Sequence, residues 1–531
     1  MRKTTLALTI GALLAAAAAP TQAADLWDIY QLAVKNDPTF AQAQANYEAT
    51  AEDKAIARSG YLPNITLSGR RSLTRTDGEE PQFNGQTLEP FQFSTRDWGT
   101  TYSVTLTQAI FDYGAWHAMD QADAQAAQAD AQFTAAQEDL IQRTATAYFN
   151  VLNARDTLTA DRAAADANSK QLEQAKEKYE VGMSAITDVE NAQAAYDQSA
   201  ANLISAQQQV ITSEENLRAI IGEPVGALME PSVDMPLHSP DPNSAQQWVN
   251  KALQQNPNLL AAQSGADAAS ANIGVQRGAE LPTLSLGLQH NKNIDSETGT
   301  ESGQGIDPKT GNPVAFTSPI NAPSNINTNI AYLQLSWPIF SGGGAWSRVT
   351  QAQSQYSAAL ANVNLVTRQT EQQTRTAYLG VLTGISQVTA LKQSVRSNQT
   401  SMDATQTGME VGTRTIVDVL TARQNLLTAE TSFSNARYTY LESLLTLKQT
   451  AGILSEQDVK QLNTLMQVQV APADMTVPAT SAEMGVPSAG TVAAPSASTN
   501  PFSTTPAPGT LTSPPGAATT TPPASSTPPK H

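Results

Sequence analysis

Apolar positions in this chain follow two periods, in an order that occurs twice. Between Gly114 and Gly182 there is neither glycine nor proline, and a second unbroken run follows from Met183 to Ile221. Tyr148, Phe149, Val151 and Leu152 in the first run, with Leu203 and Leu217 in the second, form a packing stripe through Ala- and Gln-rich sequence. Uninterrupted helix formers predict rods, and at 1.5 Å per residue the first would be roughly 100 Å long. Such a rod is too long for an ordinary globular domain and predicts coiled-coil packing. Small residues such as Ala122, Ala126 and Ala129 would let neighbouring helices approach closely. Upstream of the rods the period changes to two. Ile65, Leu67 and Gly69 alternate with Asn64, Thr66 and Ser68, and Val104 and Leu106 with Ser103, Thr105 and Thr107. That is the pattern of strands with two different environments.

The same order then returns. Leu284, Leu286 and Leu288 alternate with Thr283, Ser285 and Gln289, Leu333, Leu335 and Trp337 alternate with Gln334 and Ser336, and 413–451 again lacks glycine and proline. The punctuation repeats at a spacing of about 219 to 230 positions. Asn36-Asp37-Pro38 recurs as Gln255-Asn256-Pro257, and Gly114-Ala115-Trp116 as Gly344-Ala345-Trp346. Val181-Gly182, Ile186 and Asp188-Val189 recur as Val411-Gly412, Ile416 and Asp418-Val419. This is a tandem duplication of one unit: helix, strand, strand, long helix, tight turn, helix. The first unit is expected over residues 24–222, with strands at about 61–76 and 91–110 and its turn at 182. A Pro-rich linker over 223–245 leads to the second unit, 246–465, with strands at about 281–295 and 326–340 and its turn at 412. The polar, Gly- and Asn-rich segments 77–90 and 291–325 read as loops, and 466–531, rich in Pro, Ser, Thr and Ala, as a disordered tail.

Composition narrows the setting. Arg2-Lys3, an apolar run from Leu6 to Ala19 and the small residues around Ala23 form a secretory signal peptide over residues 1–23. No later stretch is apolar enough for a transmembrane helix, so the exported chain is either soluble in the envelope or inserted as a β-barrel. There is no cysteine, which removes disulfides and thiolate sites. A net charge of -17 argues against nucleic acid. The four histidines do not pair at ligand spacing, no motif organises a nucleophile, and neither a metal, a cofactor nor an enzyme activity is expected. Tyr61, Trp98 and Tyr102, with Tyr332, Trp337 and Phe340, lie near strand ends, as aromatics at a bilayer interface do; a sheet packed on the helices is the other reading of the strands alone. Four strands cannot close a barrel, so insertion requires oligomerisation. Three chains would give about twelve strands, and closure alone also allows a dimer.

Over roughly residues 24 to 465 the chain resembles the TolC family of outer membrane factors. The resemblance is carried by Thr144-Ala145-Thr146-Ala147-Tyr148-Phe149-Asn150-Val151-Leu152-Asn153-Ala154, by Val181-Gly182 with Ala185-Ile186-Thr187-Asp188-Val189, and by Val411-Gly412-Thr413-Arg414-Thr415-Ile416-Val417-Asp418-Val419-Leu420. It implies an α+β membrane protein of the Gram-negative outer membrane, internally duplicated. A long antiparallel α-helical coiled-coil barrel in the periplasm would be continuous with an antiparallel transmembrane β-barrel, four strands per chain and twelve per homotrimer. It also implies an exit duct for small toxic compounds and secreted proteins. The implied partners are outer-membrane lipid, periplasmic adaptor (membrane fusion) proteins and inner-membrane ABC or RND transporters. An envelope scaffold or receptor with coiled-coil spacers is the competing function.

The paired turns carry the candidate chemistry. Gly182 and Gly412 suit the turn conformation. Asp188 and Asp418 follow at equivalent positions, and in a trimer each would form a ring of three carboxylates that attracts cations. Read from the residues alone, capping or solvating a helix first turn explains both as well. The resemblance places the periplasmic aperture, a possible cation site, at Asp418, and a gate latch at Arg414 with Thr187 and Asp188 as partners. Two departures stand out: the family's latch tyrosine falls on Met409 and its second aperture aspartate on Thr421. A looser closed state and a weaker cation site are therefore expected.

Overall fold

The computed structural model describes residues 23–83 and 87–471. Apart from Ala23, the expected signal peptide lies outside the described residues, as does the expected tail from 472 onward. Helices α1 (Leu26–Asn36), α2 (Pro38–Ala51) and α3 (Asp53–Ser59) lead into strands β1 (Asn64–Phe83) and β2 (Leu88–Phe111). The chain then runs through α4 (Tyr113–Glu180) and turns back in α5 (Ile186–Ile221). A short strand β3 (Leu228–Pro231) precedes α6 (Ala245–Gln255), α7 (Pro257–Gly278), β4 (Thr283–Ile306) and β5 (Pro313–Ser336). The second long pair is α8 (Gly344–Glu410) and α9 (Ile416–Thr450), followed by α10 (Glu456–Asn463) and β6 (Met466–Val470).

The repeated punctuation has a local cause. Asp37 closes α1 and caps α2, accepting from the Thr39 and Phe40 N–H groups at 2.6 and 2.9 Å. Asn256 does the same for α7, accepting from the Leu259 N–H at 3.1 Å while its Nδ2 donates to the Thr450 carbonyl at 3.0 Å. The proline after each cap sits at the first helical position, where a missing N–H costs nothing. No proline interrupts the rods: α4 runs for 68 residues, free of glycine after Gly114, and α8 for 67, with Gly380, Gly384 and Gly408 carried inside the helix. Each folds back on its successor as an antiparallel hairpin, and α9 packs on α4 to join the hairpins. Near the sheet, α7 crosses α4 so closely that a Cβ on Gly278 would lie 2.5 Å from the Gly114 backbone.

The strands make one antiparallel sheet in the order β1-β2-β4-β5. The two hairpins join through β2 and β4, with Thr105 opposite Gln289 and Leu106 opposite Leu288. Residues directly opposite share a face, so Ile65, Leu67, Leu73, Trp98, Val104 and Leu333 all lie on one side. They are open to solvent: Leu67 is 74% exposed and Leu333 69%. The other side carries Thr66, Ser68, Asp97, Asp295, Glu297 and Glu301.

Three expectations are corrected. Segments 77–90 and 291–325, read as loops, are mostly strand: β1 continues to Phe83, β2 begins at Leu88, β4 continues to Ile306 and β5 begins at Pro313. Thr, Asn and Gly carry no alternating apolar signal there, yet the ladder needs only backbone groups when both faces are polar. The linker contains β3, and Met466–Val470, assigned to the tail, is a strand paired with it. A four-residue strand held by a partner more than 200 residues away leaves no local period to read.

The apolar core lies at mid-rod. Tyr148, Phe149 and Leu152 of α4 pack with Tyr440, Leu441 and Leu445 of α9, under α1, α6 and the β3–β6 pair. Full burial of each such side chain contributes roughly 1.5–3 kcal/mol. Among the described residues no helix is long and apolar enough to cross a membrane.

Candidate functional site

Both hairpin turns are built alike. At the first, the Gly182 N–H donates to the Tyr179 carbonyl at 2.9 Å and the Met183 N–H to Lys178 at 2.7 Å. At the second, Gly412 donates to Met409 at 3.1 Å and Thr413 to Gly408 at 2.8 Å. These pairs satisfy the last helix carbonyls in the Schellman arrangement, which needs a left-handed residue. Gly182 and Gly412 supply it, with φ of 74° and 79°.

The return helices differ. Thr415 caps α9, and a capping box links it to Asp418: Asp418 Oδ2 accepts from the Thr415 N–H and hydroxyl, both at 2.9 Å, while Thr415 Oγ1 accepts from the Asp418 N–H at 3.2 Å. The Thr415 N–H, then its hydroxyl, hold the Asp418 carboxyl below the usual carboxylate range against an opposing effect of burial, with a still smaller contribution from the charge of Arg414. In the first unit the cap is Ala185, which has no side-chain oxygen to offer. Asp188 therefore stands at the same helical position without a capping partner.

The proposed latch residues are not brought together within one chain. Arg414 makes no side-chain hydrogen bond or ion pair among the described residues, and neither do Thr187 and Asp188. Its stem instead lies over Gly408, where an added Cβ would come within 2.7 Å of Arg414 Cγ. Met409 contributes only its carbonyl to the turn. Thr421 donates its hydroxyl back to the Val417 carbonyl at 2.8 Å, within its own helix.

The hairpin tips do meet. Ile416 of α9 packs, as Val189 and Tyr196 of α5 do, against the cluster of Leu172, Ala175 and Ala192. Further along, Arg423 Nη1 donates to Asn168 Oδ1 at 3.4 Å across a cavity of about 350 Å³ lined by Asn191, Ser199 and Thr421. Burial lowers the Arg423 pKa. Sequence reasoning missed Arg423 because its counterpart in the repeat is Gln193, so no echo marks it. Gly408 was visible as a glycine just before the end of a helix, but its contact with Arg414 was not.

At mid-rod a buried polar belt fixes the hairpins to β3. Arg155 pairs with Glu214 at 2.6 Å and donates to the Gly226 carbonyl at 3.0 Å. Arg437 donates to the Pro231 carbonyl, Tyr148 to that of Met229, and Ser434 and Tyr438 both donate to Asp156. Burial, then the charge of Asp156, pushes the neighbouring Glu230 carboxyl up. Among the described residues no cluster of His, Asp and Glu has the geometry of a metal site.

The sequence model of the family described as outer membrane efflux protein matches residues 29–223 and 248–453. The outer membrane protein TolC of Vibrio cholerae is 34% identical over 468 residues, covering 88% of this chain and 99% of that protein. The alkaline protease secretion protein AprF of Pseudomonas aeruginosa is 27% identical, covering 82% of this chain and 86% of its own. The crystal structure of the outer membrane protein VceC of Vibrio cholerae superposes with a TM-score of 0.62 at 18% identity, over 80% of this chain and 96% of that one.

Proposed function

This chain belongs to the outer membrane efflux protein family, and on that footing we propose that three copies close their sheets into one twelve-stranded barrel. The protein is an outer-membrane exit duct for efflux and type I secretion. The observation that carries the barrel reading is the sheet itself. Its outer strands β1 and β5 have no second neighbour among the described residues, and one face is apolar and exposed. A lone sheet with two long open edges and an apolar face is unstable in water or lipid; closure against other copies satisfies both. Pro81 in β1 and Pro313, Pro319 and Pro323 in β5 lack N–H donors. They confine pairing between copies to the halves nearer the helices, residues 64–77 and 324–336. Those halves are long enough for the roughly 9–11 residues a tilted strand needs to cross a bilayer.

With the apolar face toward lipid, Asp97, Asp295, Glu297 and Glu301 face the lumen and favour cations. At the far end, three copies of Asp418 ring the periplasmic aperture. Arg414, without a hydrogen-bond or ion-pair partner among the described residues, bonds Thr187 and Asp188 of a neighbouring copy, a directional charge-assisted latch. The tips expose Val181, Met183 and Val411, at 70%, 78% and 70%. These apolar knobs are the surface for a periplasmic adaptor that couples the duct to an inner-membrane ABC or RND transporter. Single-channel recording of the mature protein in planar bilayers tests the reading. Small cation-selective currents, blocked by divalent cations, are expected. Asp418→Ala should relieve the block and Arg414→Ser should raise conductance. A well-folded oligomer without channel activity would overturn the conduit.

A further inference from the structure

We propose that an arginine cluster on the outside of the sheet binds the phosphate of an outer-leaflet lipid. Arg75 of β1 stands directly opposite Arg96 of β2, one level beyond the Leu73–Trp98 pair and on the same face, with Arg71 one level before it. Like charges directly opposite destabilise a strand pair unless an anion lies between them. The protein supplies one nearby acid: Asp77 Oδ2 accepts from Arg75 Nε at 3.1 Å, and its other oxygen from Ser94 Oγ at 2.6 Å. The Arg96 guanidinium has no acceptor among the described residues. Arg71 lies over the Trp98 ring at 4.9 Å, which leaves its N–H edges unused. Arg75 and Arg96 open onto a cleft of about 340 Å³ that is also lined by Ser94, Thr298 and Thr300. Guanidinium forks ringed by hydroxyls are the donor set that recognises a phosphate oxygen array. In a chain of net charge -17 such a basic patch is not background.

Its level selects the lipid. Ile65 to Leu73 spans roughly 26 Å along the strand at about 3.3 Å per residue, which at a barrel tilt of about 40° is a rise of roughly 20 Å, most of the height of a barrel's apolar band. The helices adjoin the Ile65 end, so Arg75 and Arg96 lie at the outer margin, where headgroups of the external leaflet sit, and Arg71, one level inside Leu73, reaches toward it along the Trp98 ring. The inference rests on the reading that this face meets lipid.

The test reconstitutes the full-length mature oligomer in phosphatidylcholine nanodiscs doped with bis-phosphorylated lipid A or with the same lipid lacking phosphates. Lipid retained through repurification is counted by mass spectrometry. The phosphorylated form should be retained about tenfold better, the scale of one good charge-assisted contact. The triple variant Arg71→Gln, Arg75→Gln, Arg96→Gln should lose that preference. Arg70→Gln, on the opposite face, should keep it, and the matching triple Arg→Lys variant should keep part of it, which controls for folding. Equal retention by the wild type and the triple Gln variant, both as intact oligomers, overturns the proposal. Displacement by millimolar inorganic phosphate would assign the site to free phosphate and overturn the lipid assignment. Wild-type protein that is washed from membranes by alkaline carbonate would sink the barrel reading itself. An inserted, conducting channel with no lipid preference would sink the phosphate site alone.

Discussion

At Asp418 one carboxylate oxygen is engaged by Thr415, and the other faces outward without a partner among the described residues. The hydrogen bonds from Thr415 lower its pKa, so its charge, with the stability those bonds contribute, is present above the ordinary carboxylate range. Both are lost only as pH falls through the lowered value. Thr415→Ala removes the hydroxyl donor and should move the loss of cation selectivity to higher pH, read from reversal potentials across an acid series. An unmoved midpoint would mean that another group sets selectivity. Glu138 is the opposite case. Burial pushes its carboxyl up to about 8, with a further rise from the charge of Asp458 and some relief from the Leu454 N–H. The folded state therefore holds a proton that the unfolded state releases, and stability declines between its ordinary 4.5 and about 8. Glu138→Gln should flatten melting temperature over that window and raise it at the alkaline end. The sequence marked Asp418 through the repeat and Arg414 only through the family resemblance. It could not show that Asp418 bonds its own cap, because either a cap or an ion pair fits a carboxylate at that helical position.

Among the elements, the rods were the most legible: 115–181 holds neither glycine nor proline, and an uninterrupted run of helix formers favours helix. The strands were legible only where one face is apolar. Beyond Arg75 in β1 and beyond Ile294 in β4 both faces turn mostly polar, period two fades, and strand reads as loop. Helix contacts were not legible at all, and they produce a contrast between glycines. On Gly278 a Cβ would meet the Gly114 backbone, which cannot move aside, so Gly278→Ala should cost about 1–3 kcal/mol and lower the melting temperature. On Gly182 a Cβ meets nothing within 4 Å. Gly182→Ala should cost only the left-handed backbone penalty, about 1–2 kcal/mol, leaving the mid-rod core untouched. If Gly278→Ala melts like wild type, the close crossing of α7 and α4 is wrong.

For the molecule as a whole, the β3–β6 pair ties the chain's late segment to its middle, with Leu228 opposite Val470 and Met229 opposite Gln469. Ala24 joins it through a bridge to Leu228, its N–H donating to the Ala227 carbonyl at 2.8 Å. A truncation ending after Ala471 should keep the heat-stable oligomer and its conductance. One ending after Leu465 deletes β6 and should lower the melting temperature of the assembly, because β3 loses its ladder partner. Equal stability of the two truncations would remove β6 from the structural belt. The sequence by itself determined the duplicated unit, the rods, the two turns and the sheet's apolar side. Each depends on neighbours within a turn of helix or along one strand, and periodicity records such neighbours. Only the tertiary structure decided that β2 pairs with β4, that Arg423 reaches Asn168, that Arg414 bonds no side chain among the described residues, and that Arg75 stands against Arg96. These arrangements depend on register and packing between segments, up to more than 250 residues apart for Arg423 and Asn168, and no local pattern encodes them.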